Sequence, residues 1–154
     1  MKWEEIWAKA QEERASKPRK QRSHTESRLQ ESCVTWFRLQ FPALAPLLFA
    51  VPNGGSRSHR TVVRGGKVYT YSPEAMQLRR EGLTAGVADL ILLMPSPPYA
   101  SLCIEMKTTE KSSKQRECQK EWQRTAEAHG NKYVICRTID EFRHAVLDYL
   151  PKTQ

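Results

Sequence analysis

Two short apolar stretches on either side of a proline-rich turn do most to limit what this chain can fold into. Val87-Ala88-Asp89-Leu90-Ile91-Leu92-Leu93-Met94 and Ala100-Ser101-Leu102-Cys103-Ile104-Glu105-Met106-Lys107 flank Pro95–Pro98. Runs of this length and aliphatic content read as buried strands, and so short a connection makes them an antiparallel hairpin. Strand side chains alternate between faces. Leu102, Ile104 and Met106 therefore share one face, and Cys103, Glu105 and Lys107 share the other. A carboxylate and an amine leave the strand side by side near its end, and the neighbouring strand carries a lone acid, Asp89. Burying such groups is costly unless they are paired or bind a metal.

The rest of the chain surrounds that hairpin with helices. Leu29, Cys33, Trp36 and Phe37 fall at helical spacing, so a helix is expected from a cap at Thr25 to just before Pro42. Leu47 to Val51 reads as a short buried strand, stopped by the turn Pro52-Asn53-Gly54-Gly55. Residues 56–72 are rich in Gly, Ser and Arg and read as an exposed loop or hairpin. Ser72-Pro73-Glu74 opens a helix that Gly82 ends. A polar loop after Lys107 leads to a helix over about residues 114–129, stopped at Gly130-Asn131. Tyr133 to Cys136 is a further buried strand, and Ile139 to Leu150 a closing helix. This alternation predicts an α/β fold, a mixed sheet flanked by helices.

The chain has the length of one domain, 154 residues, with 39% hydrophobic and 27% charged residues, which excludes the disordered class. No run approaches the roughly 20 apolar residues of a membrane span, and the first residues, mixing acids with bases, are not a secretory signal. A cytosolic protein is expected. The net charge of +8 suits a polyanionic partner, although a solvated basic surface has the same charge. Cys33, Cys103, Cys118 and Cys136 form no CxxC pair, which argues against structural zinc. Residues 1–24, with the basic stretch Lys17-Pro18-Arg19-Lys20-Gln21-Arg22, read as an arm that either solubilises the chain or contacts DNA.

The hairpin brings Asp89 within reach of Glu105, and two converging carboxylates are a usual oxygen-ligand set for Mg²⁺. A divalent ion there polarises a phosphate oxygen. Lys107, on the same face, contacts the scissile phosphate and offsets developing charge. Glu105-x-Lys107 taken alone reads better as an ion pair on an exposed sheet face. Asp89 on the preceding strand brings the two readings level.

Gly86-Val87-Ala88-Asp89 followed by Ile104-Glu105-Met106-Lys107 resembles the PD-(D/E)xK nuclease pattern, with Ala88 where the family usually has Pro. The chain is similar in particular to the VRR-NUC branch, in its small stand-alone form typical of phages and bacteria. The resemblance extends over residues 25–150 through Glu26-Ser27-Arg28-Leu29-Gln30, Val51-Pro52-Asn53-Gly54-Gly55, Glu81-Gly82-Leu83-Thr84-Ala85-Gly86 and Gln119-Lys120-Glu121-Trp122. It implies a restriction-endonuclease-like fold and a Mg²⁺- or Mn²⁺-dependent endonuclease, acting as a homodimer on branched DNA such as Holliday junctions. A flap or general DNA nuclease, or a non-catalytic nucleic-acid-binding module, are the alternatives. The implied metal ligands are Asp89, Glu105, the backbone carbonyl of Met106 and Glu26, with Glu31 competing for the last place. Gln119 is implied to support Lys107 or the substrate phosphate. Gln30, Asn53, Gly54, Arg57, Arg60 and Arg64 are candidates for DNA contact, with Gly55, Lys67, Arg79 and Arg80 beside them. No base-reading recognition helix is evident, so selectivity for DNA structure, or none, is expected.

Overall fold

The computed structural model describes residues 24–52, 59–110 and 113–151. The expectations for residues 1–23, and for Asn53, Gly54, Gly55 and Arg57, lie outside them. Helix α1, His24–Gln40, begins the described chain. Thr25 lies inside its first turn and does not cap it, because the helical backbone already includes His24. A short 3-10 turn over Ala45–Leu47 leads into β1, Leu48–Ala50. Then come β2 (Arg60–Arg64), β3 (Lys67–Tyr71) and α2 (Pro73–Arg80). Strands β4 (Leu90–Leu92) and β5 (Leu102–Met106) follow, then α3 (Glu117–Ala128), β6 (Lys132–Cys136) and α4 (Ile139–Tyr149).

These elements belong to two compact units, the smaller holding β2, β3 and α2 and the larger holding all the others. In the larger unit the strand order is β1-β4-β5-β6. β1 and β4 pair antiparallel, as do β4 and β5, while β5 and β6 pair parallel, so the sheet is mixed. A parallel pair needs a crossover, and α3 supplies it. The β4–β5 hairpin expected from the two apolar runs is present. The strands are shorter than the runs, β4 spanning three residues and β5 five.

One face of the sheet carries Leu90, Leu92, Leu102, Ile104, Met106 and Cys136 into the main core, against Cys33 and Phe37 of α1 and Phe142, Val146 and Tyr149 of α4. Trp36 seals the edge of that layer with edge-on ring contacts to Phe41 and Phe142. Each fully buried Leu or Ile contributes roughly 2 kcal/mol here. On the opposite face a smaller cluster joins Ala88, Cys103 and Tyr133 with Trp122 of α3. In the smaller unit, β2 and β3 form a two-stranded antiparallel sheet closed by Gly65 and Gly66, both at positive φ. The Ser72 hydroxyl caps α2 by accepting the Ala75 amide at 3.2 Å. No helix among the described residues is long and apolar enough to cross a membrane.

Candidate active site

The β4–β5 register pairs Leu90 with Ile104 and Leu92 with Leu102. Continued one step, it sets Asp89 across from Glu105. Strand alternation then places Asp89, Cys103, Glu105 and Lys107 on the face turned away from the main core. The Asp89 carboxylate accepts the Met106 backbone amide at 2.8 Å, which fixes it against the end of β5. β5 extends its pairing through a bond from the Lys107 amide to the Cys136 carbonyl, so Lys107 leaves the sheet from ordered backbone.

Glu105 is wholly buried, and three side chains converge on it. Lys107 Nζ forms an ion pair with Oε1 at 2.8 Å. Gln119 Nε2 donates to the same oxygen, and the Tyr133 hydroxyl donates to Oε2 at 3.2 Å. Burial pushes the Glu105 carboxyl up from 4.5 to about 7, and the nearby charge of Asp89 adds to the rise. The hydrogen bond and charge of Lys107 and the Tyr133 hydroxyl pull against it. Tyr133 is itself raised, first by burial and then by the charge of Glu105.

α3 supplies Gln119, which is almost fully buried. Its carbonyl oxygen accepts the Arg116 amide at 2.8 Å, satisfying an N–H that the helix start leaves unpaired. One amide group thus caps the helix with one end and holds Glu105 with the other. The sequence pointed to Lys107 or the substrate phosphate as the group that Gln119 supports; in the structure it binds Glu105. The N-terminal end of α3 can approach the sheet because Gly86 lies beneath it. A Cβ there would overlap the Cys118 carbonyl and sit 2.9 Å from the Gln119 nitrogen, and the residue has φ +88°.

Two supporting residues were not visible in the sequence. Tyr133 read as one more buried apolar position of its strand. Only the parallel pairing of Cys103 with Tyr133 turns it towards Glu105, and Gln115 then donates to its hydroxyl at 3.3 Å. Arg137, just past the end of β6, donates to the carbonyls of Thr108 and Ser113 and so ties down the loop that follows Lys107. A basic residue just past a strand end was the available signal for it.

The structure does not bring every expected residue together. Glu26 is half-buried on α1, and no group of three or more His, Cys, Asp or Glu among the described residues is arranged to hold a metal. Gln30 and Glu31 line a groove on α1 of about 360 Å³, with Ser27, Val34, Thr35 and Arg38. Arg60 and Arg64 are exposed on β2 of the other unit.

With this geometry in view, a solved structure described as a "VRR_NUC domain protein" is similar, with a TM-score of 0.62 and 24% identity, over 82% of this chain and 88% of that one. The chain has the VRR-NUC fold. No family model and no curated protein matches it by sequence. In this chain the sheet of that fold carries Asp89, Glu105 and Lys107 on one face beneath α3.

Proposed function

We propose that this chain is a Mg²⁺- or Mn²⁺-dependent endonuclease that hydrolyses DNA phosphodiester bonds. The observation that carries the reading is the pairing of Asp89 with a buried Glu105, whose carboxyl is pushed up first by burial and then by the charge of that neighbour. Two carboxylates held this way repel each other, and hard oxygen donors in repulsion are the chemistry a small divalent cation relieves. Mg²⁺ characteristically takes one or two carboxylates and fills its other positions with water and substrate oxygens, so the pair fits it without a third acid. Asp89 and Glu105 would hold the ion, and the Met106 carbonyl is offered by the same turn of chain. When bound, the ion supplies polarisation of a phosphoryl oxygen.

The chain's own residues do the remainder. Gln119 and Tyr133 fix the two oxygens of Glu105, so its carboxylate does not rotate away from Asp89. Lys107, mostly buried and held by Glu105, places a positive charge beside the position a scissile phosphate takes. It stabilises charge building on that phosphate, in an environment where water screens little. The basic surface gathers the polyanion. By its likeness to the VRR-NUC fold we assign branched DNA as the preferred substrate and a homodimer as the working form, since two symmetric cuts suit a two-fold assembly.

The test is cleavage of labelled four-way junction, flap, linear duplex and single-stranded DNA with Mg²⁺, with Mn²⁺ and with EDTA. Cutting of the junction in either metal and none in EDTA is expected. Absence of cutting on every substrate with both metals would overturn the reading.

A further inference from the structure

The β2–β3 hairpin carries a sorting of side chains that phosphodiester hydrolysis does not call for. Its register pairs Arg60 with Tyr71, Val62 with Tyr69 and Arg64 with Lys67, while Thr61 pairs with Thr70 and Val63 with Val68. Partners across an antiparallel ladder point to the same side, and the sides alternate. One face therefore holds Arg60, Arg64, Lys67, Tyr69 and Tyr71 around Val62. The other holds only threonine and valine. Every charged and every aromatic residue of the ladder is on the first face.

That face is open. Tyr69 is 52% and Tyr71 39% exposed, and Arg60, Arg64 and Lys67 are all exposed. No Asp or Glu occurs between Glu31 and Glu74, so the hairpin has no acid of its own to balance its charge. Cations alone would meet a duplex backbone, and exposed rings add nothing to a phosphate contact. Paired bases are stacked on one another and show only their edges. Unpaired bases offer their faces, and an aromatic side chain stacks on them whatever the sequence. Tyr69 and Tyr71 stand two residues apart on one side of β3, about 6.8 Å along the strand, a step that an unstacked nucleotide with an extended backbone can span.

We propose that this hairpin face binds single-stranded DNA, with bases stacked on Tyr69 and Tyr71 and phosphates paired with Arg60, Arg64 and Lys67. The proposal rests on the reading of DNA as the substrate and names the part of it, an unpaired stretch, that the smaller unit holds.

Fluorescence anisotropy in EDTA, where cutting is stopped, tests it with a labelled oligothymidylate of about 15 nucleotides and a blunt duplex of equal length. Y69T/Y71T keeps strand-forming residues and removes both rings. It should weaken single-strand binding by about tenfold or more and leave duplex binding within about twofold. Y69F/Y71F, which keeps the rings, should bind as wild type. R60Q/R64Q/K67Q should weaken binding to both and lower the salt slope on the single strand by about 2, from three contacts at about 0.7 each. Unchanged single-strand affinity in Y69T/Y71T, or an equal loss on the duplex, overturns the proposal, with circular dichroism confirming that each variant is folded. Ring-dependent single-strand binding in a chain that cuts nothing would retain this proposal and remove the nuclease reading. Cleavage by a chain whose binding ignores the rings would do the reverse.

Discussion

Asp89 and Glu105 oppose each other across the end of a hairpin, and the charge of Asp89 makes the buried Glu105 harder to ionise while Lys107 makes it easier. Removing one member leaves the remaining charges unbalanced, so the effects should fall on turnover and not on DNA affinity. Asp89→Ala and Lys107→Ala are each expected to lower cleavage by about a hundredfold or more with DNA binding retained, which a gel-shift assay in EDTA reads directly. Retained cutting in either would remove that residue from the site. Glu105 also makes stability depend on pH. Its carboxyl titrates near 7 in the fold and near 4.5 in the unfolded chain, so between those values the native state holds the extra proton. The stabilisation is complete below about pH 4.5 and is lost as pH rises through about 7, a change of about 3 kcal/mol. Thermal melts of metal-free protein from pH 5 to 7.5 should show the decline, and Glu105→Gln should flatten it. A slope that persists in the glutamine variant would assign it to another group. Adding Mg²⁺ at the upper end should raise Tm in the wild type and not in Asp89→Ala.

At the scale of elements, the placing of α3 over the sheet depends on a position that has no side chain. Gly86 has a positive φ and lies against the backbone of Cys118 and Gln119. Alanine there meets both backbone strain and overlap with the helix start. Gly86→Ala should cost about 3 kcal/mol, seen as a fall in Tm of roughly 10 °C, and should reduce cleavage further by moving Gln119 away from Glu105. A variant with wild-type Tm and activity would show that the helix start is free to shift. The same elements show what could be read beforehand. Period-two alternation alone was enough to put Glu105 and Lys107 on one face, and the short proline turn was enough to bring Asp89 towards them. Strand ends were not legible, since Val87 to Met94 is apolar apart from Asp89 and carries no residue that marks where pairing stops. Nor was Tyr133 legible, because it lies 28 residues from Glu105 in sequence and its hydroxyl reaches that carboxylate only through the parallel register that the crossover sets. Gln119 was found through its family context, but its partner was not, as a glutamine can serve a lysine, a phosphate or a carboxylate equally well.

At the scale of the whole molecule, the proposed assembly and the arrangement of the chain can each be measured. Light scattering on a size-exclusion column should give twice the chain's 17.8 kDa; a mass of one chain would argue against paired cuts on a junction. The route of the chain is equally telling. β1 and β4 are neighbours in the sheet although the β2, β3 and α2 segment of the smaller unit lies between them in sequence, and the Val51 amide donates to the Asp89 carbonyl at 2.9 Å. The excursion therefore departs and returns at two points that the larger unit's own ladder clamps together. Replacing residues 56–82 with a short glycine-containing link should leave a cooperatively melting protein, and loss of cooperative melting would show that the larger unit depends on the excursion. A part rooted in this way is exchangeable. Mutation can lengthen, trim or replace it with little disturbance to the paired acids, so descendants of such a chain can change what they grip while continuing to cut by the same chemistry.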